Sequence, residues 1–150
     1  MGDRRIRVPK NKEKIINILF KGESRTGVFI TKAELITFAA TLGYKYENRI
    51  PFDDSLDPIR QDVFERHGCD TVINLIAIAD SKDPIILRSS DIDEDRRITI
   101  FEEYANGGLE ILQEELRGKG NPLEHLLLMI NKERCADDIN EEEFGLDRFL

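Results

Sequence analysis

The stretch Ser90-Asp-Ile-Asp-Glu-Asp-Arg-Arg-Ile98-Thr-Ile-Phe101-Glu-Glu-Tyr-Ala105-Asn-Gly-Gly-Leu109-Glu-Ile-Leu112-Gln-Glu-Glu-Leu116-Arg117 decides the fold. Ile98, Phe101, Ala105, Leu109, Leu112 and Leu116 recur at spacings of three and four, which places them on one face of a long amphipathic helix. Asn106-Gly107-Gly108 interrupts that seam, and each glycine costs about 1 kcal/mol relative to alanine in a helix interior, so a kink or a break into two helices is expected there. At the front of the stretch, Asp91, Asp93, Asp95 and Glu102 occupy positions one, three, five and twelve of a Ca²⁺-binding loop, with Ile98 at position eight. The sixth position is Arg96, where such a loop needs glycine, and Arg97 adds a second positive charge. The favoured reading is a helix start: Ser90 as N-cap, and Asp91, Asp93 and Glu94 complementing the positive end of the helix dipole.

Working outward, Asp70-Thr-Val-Ile-Asn-Leu-Ile-Ala-Ile-Ala79 is apolar almost all round. Val72 to Ala79 is therefore a buried helix or a buried strand, and helix is chosen because the capped segments around it are helical. Thr31 to Leu42 is the clearest helix, with Thr31 and Glu34 as a capping box, Leu35, Phe38, Ala39 and Leu42 as its stripe, and Gly43 as its expected stop. Asp57-Pro58 should open a helix to about Arg66, closed by Gly68. Asp83-Pro84 opens a short turn ending near Ser89, and Asn121-Pro122 caps a last helix through Ile130. Nearer the N-terminus, Ile6 and Val8 alternate with Arg5 and Arg7 as in a half-buried strand ended by Pro9, and a short helix follows from Lys10 to Phe20. The expected fold is mainly α, a helical domain over 1–135 with one or two short N-terminal strands, a basic arm (1–14) and an acidic, flexible tail (136–150).

The chain has 150 residues, enough for one domain with a core. Its longest apolar runs, Leu75 to Ala79 and Leu126 to Ile130, are five residues each, whereas a membrane helix needs about 20. No secretory leader is expected from the N-terminal residues, and Cys69 and Cys135 are expected as reduced thiols, so a cytoplasmic setting is expected. Net charge is −8, and it is unevenly spread. Residues 1–50 carry eleven Lys and Arg against five Asp and Glu, while residues 51–150 carry eleven against twenty-five. A basic arm on an acidic body is either a footprint for nucleic acid or an internal match, the arm docking on the body of its own or a neighbouring chain.

No catalytic constellation is legible. A glycine-flanked serine, a cysteine beside a base and a phosphate-cradling loop followed by lysine are all missing, and Asn106-Gly107-Gly108 lacks the lysine such a loop requires. His67, Cys69, His125 and Cys135 have no recurrent zinc-ligand spacing. Neither cofactor nor enzymatic activity is expected. The strand-helix-helix order at the N-terminus suggests a ribbon-helix-helix arrangement, in which strands from two chains pair and enter the DNA major groove. Arg5 and Arg7 would then read outward, and Thr31 and Lys32 at a helix start would hold a phosphate. Against it, Lys21 to Ile30 is longer than the turn of that fold, and Val28, Phe29 and Ile30 suit a strand.

Four stretches, Ile36-Thr-Phe-Ala-Ala-Thr-Leu-Gly-Tyr44, Asp57-Pro-Ile-Arg60, Asp70 to Ala79 and Ile100-Phe-Glu-Glu-Tyr-Ala-Asn-Gly-Gly-Leu-Glu-Ile-Leu112, occur in an order that resembles the bacterial Dnd system-associated protein 4 family. The resemblance runs from about Arg5 to Ile130. It implies a bacterial cytoplasm and a system that places sulfur in the DNA backbone or restricts unmodified DNA, and it carries no catalytic residues. Two functions are consistent with it. One is a DNA-binding or regulatory accessory protein using Arg4, Arg5, Arg7, Lys10, Lys12 and Lys14, with the helical body forming a homo-oligomer. The other is a subunit that docks on a larger protein of the system, with Leu109, Leu112 and Leu116 as apolar anchors.

Overall fold

A computed structural model describes residues 4–22, 27–118 and 120–149, with side chains described through Cys135. The fold is mainly α, as expected. Strand β1 (Arg5–Ile6) leads through a 3₁₀ turn (Lys10–Lys12) into helix α1 (Glu13–Leu19), and α2 spans Lys32–Lys45. Strand β2 (Ile59–Arg60) runs directly into α3 (Gln61–Arg66), followed by α4 (Asp70–Ser81), a 3₁₀ turn (Pro84–Leu87), α5 (Asp91–Leu116) and α6 (Pro122–Phe149). Val72 to Ala79 is thus helix. The acidic stretch 136–149 continues the backbone of α6, and its side chains lie outside the described residues.

Side-chain caps open four of the eight described helical segments. Thr31 Oγ1 accepts the Glu34 amide at 3.1 Å, Asp83 Oδ1 accepts that of Ile85 at 3.0 Å, and Asn121 Oδ1 accepts that of Leu123 at 3.0 Å. Ser90 Oγ accepts the Asp93 amide at 3.2 Å and donates to the Asp93 carboxylate at 2.6 Å. The helix expected from Asp57-Pro58 begins later, because Ile59 and Arg60 pair with β1 before the chain turns helical.

α5 is the axis of the fold and α2 lies along it. The expected break at Asn106-Gly107-Gly108 does not occur, since α5 is one helix of 26 residues, about 39 Å long. The glycines serve proximity instead. A Cβ on Gly108 would sit 1.6 Å from the Ala39 carbonyl oxygen, one on Gly107 1.7 Å from that of Asn48, and one on Gly43 2.0 Å from that of Tyr104. Gly43 is accordingly no stop signal. It lies inside α2, at the point where the two backbones touch, and the helix continues to Lys45.

Around this crossing the core gathers Ile6 and Val8 from the N-terminus, Ile15, Ile16 and Leu19 from α1, Leu35 and Ile36 from α2, and Phe101, Leu109 and Leu112 from α5. Phe64 of α3 meets Phe101 edge to face, with ring centres 5.7 Å apart. The partner of β1 is β2 of the same chain, antiparallel, with Arg5 opposite Arg60 and Ile6 opposite Ile59. The two-stranded ribbon is therefore built within one chain and needs no second copy, unlike that of ribbon-helix-helix proteins.

Candidate functional site

The N-terminal arginines divide into two groups. Arg4 meets Glu94 at 2.6 Å and Asp91 at 2.9 Å, and it also pairs with Asp95, all on the first turns of α5. Arg7 donates its backbone amide to Glu102 at 2.5 Å and its Nε at 3.2 Å, while its guanidinium lies 4.7 Å from the centre of the Phe52 ring. The Glu102 side chain is only 3% exposed, and burial pushes its carboxyl above the ordinary range against the pull of Arg7. For Arg4 and Arg7 the internal match between arm and body is the arrangement found. Lys12 is buried, Lys32 holds its ammonium 5.3 Å from the Phe20 ring centre, and Thr31 is occupied as a cap. Arg5, Lys10 and Lys14 remain exposed.

A second polar cluster was not foreseen. Arg49, in the connection after α2, meets Glu103 at 2.9 Å and Asp80 at 3.1 Å, and the Tyr104 hydroxyl donates to Asp80 at 2.5 Å. Burial first, then the hydrogen bond to Asp80, pushes the Tyr104 hydroxyl up to about 12. This cluster joins the connection after α2 to α4 and α5. Two backbone-directed bonds reinforce it, Asn48 Nδ2 to the Gly107 oxygen at 3.0 Å and Asn106 Nδ2 to the Ile50 oxygen at 3.1 Å. The available signal was the run Glu102-Glu103-Tyr104-Ala105-Asn106, whose polar members lie too near the apolar seam of α5 to be solvated surface.

Asp91, Asp93, Asp95 and Glu102 do not form a loop. All four stand on α5, with Asp93 engaged by Ser90 and the other three by arginines. Among the described residues no group of three or more His, Cys, Asp or Glu side chains is placed to hold a metal ion. Cys69 is buried and Cys135 exposed. Leu109 and Leu112, expected as outward anchors, are 0% exposed because the close approach of α2 covers them, and Leu116 is partly buried.

The outward apolar face belongs to α6. Leu126 fixes the inner side of this helix, the Tyr46 hydroxyl donates to Glu133, and Lys45 pairs with Glu133 at 2.9 Å. The hydrogen bond raises the Tyr46 hydroxyl and holds the Glu133 carboxyl below its usual range. Leu123, Leu127 and Ile130, spaced i, i+4 and i+7 on one side of α6, are 46%, 51% and 43% exposed. On another side of α6 opens a groove of about 980 Å³, lined in part by Tyr46, Ile111, His125, Leu128 and Met129.

Such a molecule is a mainly helical fold whose segments are stitched together by arginine–carboxylate pairs. The chain belongs to the family of DNA sulphur modification system-associated protein 4, whose model matches residues 5–149. No curated protein and no solved structure matches it. Among the described residues no helix is long and apolar enough to cross a membrane.

Proposed function

We propose that this chain is a non-catalytic accessory subunit that docks, through the exposed face of α6, on a protein component of the DNA sulphur-modification system. The observation that carries this reading is the stripe Leu123, Leu127 and Ile130. Three large apolar side chains at i, i+4 and i+7 match the anchors by which an amphipathic helix fills a partner's groove. The family's association with a modification system supplies the setting. The complementary partner surface is an apolar groove that takes three side chains in line.

A non-enzymatic role is supported by the engagement of the carboxylates in both polar clusters. Each one identified there faces an arginine, a tyrosine hydroxyl or a cap, and so is committed to holding segments together.

The test is co-expression with the other proteins of the system, followed by size-exclusion chromatography. The chain should co-elute with one of them, and Leu127→Asp should abolish the complex while leaving the circular-dichroism spectrum unchanged. A complex that survives Leu127→Asp and Leu123→Asp together overturns the reading. So does a homodimer dispersed by those substitutions, which would make a second copy the occupant.

A further inference from the structure

We infer that Arg5 and Arg60 form a single binding site for a phosphate-type oxyanion, the class to which the phosphodiester and phosphorothioate linkages of DNA belong. This inference is independent of docking through α6. The two residues are directly opposed in the β1–β2 ribbon. Opposed residues on one face of an antiparallel pair have Cβ atoms about 5 Å apart. Ile6 and Ile59, the adjacent opposed pair, turn toward the core, while Arg5 and Arg60 are exposed. Both guanidinium groups therefore leave the same outer face, close enough to converge on one tetrahedral anion, each with the planar donor fork that suits such oxygens.

Like charges directly opposed in a sheet are destabilising, and the two arginines flanking Arg5 in the N-terminal arm are neutralised. Arg4, next to Arg5, takes carboxylates from Asp91, Glu94 and Asp95, and Arg7 takes Glu102. Arg5 has no carboxylate within 4.0 Å among the described residues. Arg60 meets Asp62 at 3.3 Å through Nε, which leaves the end-on edge formed by its two terminal amino groups to face an anion. Two arginines and one aspartate leave one uncompensated positive charge, which equals the charge of one phosphodiester. A two-stranded ribbon is also narrow enough to approach the groove of duplex DNA, so its outer face can reach a backbone phosphate.

The experiment measures fluorescence anisotropy of a labelled 20-base-pair duplex between 50 and 200 mM NaCl, with the natural chain, Arg5→Gln, Arg60→Gln and the double variant. A parallel titration with inorganic phosphate follows the backbone amides of residues 5, 6, 59 and 60 by NMR. Each single variant should weaken duplex binding about three- to tenfold, and the double should add little to the worse single. Because one phosphate is shared, the log–log salt slope should fall by about 0.9 in the double variant. Duplex binding without a response to inorganic phosphate assigns the site to the DNA backbone, whereas saturable phosphate shifts that compete with duplex assign it to the free anion as well. Binding unchanged in the double variant overturns the inference, as does a slope loss of about 1.8, which would mean two separate phosphate contacts. The absence of both duplex binding at 50 mM NaCl and phosphate shifts overturns it too. Circular dichroism should show all four proteins equally folded, since both side chains are exposed.

Discussion

The α2–α5 crossing and the seat of α6 are two ways of holding a helix on the same body. At the crossing, Gly43, Gly107 and Gly108 remove the side chains that would separate the backbones, and the contact is made by main-chain atoms with Leu109 and Leu112 sealed beside it. On α6 the contact is made by the ends of long side chains, Tyr46 and Lys45 reaching Glu133, with Leu126 inserted and four large apolar residues left outside. A backbone-to-backbone contact has one geometry and tolerates no added atom. A contact through flexible side chains can be remade at low cost, and a helix held that way can serve a partner.

The difference predicts a steep gradient of mutational effects. Gly108→Ala should be the most damaging, because its methyl must displace the Ala39 carbonyl and push two helices apart; a loss of about 3 kcal/mol or more is expected from urea unfolding. A loss below that of any substitution on α6 would break the comparison. Arg7→Ala comes next. It strands the Glu102 carboxylate in a buried position, and because the Arg7 side chain is 39% exposed, solvent screens part of the effect, leaving about 1–2 kcal/mol.

Glu102 also predicts a pH dependence. Burial raises its folded pKa above the unfolded value, so the folded chain binds the proton more tightly. Its contribution to stability is therefore greatest near and below the ordinary carboxylate pKa and is lost as pH rises through the raised folded value. The stability difference between the natural chain and Glu102→Gln, measured by denaturation across that window, should fall with rising pH; a flat difference would show that Glu102 ionises alike in both states. The smallest effect belongs to α6, where Leu127→Asp should change stability by no more than about 0.5 kcal/mol.

Four helix starts are legible because their caps are local, whereas the start expected at Asp57-Pro58 is overridden by the pairing of Ile59 and Arg60 with β1. Thr31, Asp83, Ser90 and Asn121 cap helices whose first amides lie two or three residues away, and α4 declares itself through the capped helices around it. Roles set by distant residues were not legible. Gly107 and Gly108 look like a helix break unless Asn48 and Ala39 are known to press against them. Arg4 and Arg7 look like free charges unless Asp91, Glu94 and Glu102 are known to lie alongside. Leu109 and Leu112 were correctly placed on an apolar face, but nothing local says that α2 covers that face while the leucines of α6 stay uncovered.

The docking of Arg4 on α5 fixes an order of events during synthesis. Its partner Asp95 follows it by 91 residues, and β1 lacks its partner strand until Ile59 and Arg60 have been made. At the usual pace of translation Asp95 is added roughly 5 to 18 s after Arg4. Until then Ile6 and Val8 lack the strand and the α5 surface that complete their burial, so this segment is synthesised well before the residues that supply its native contacts.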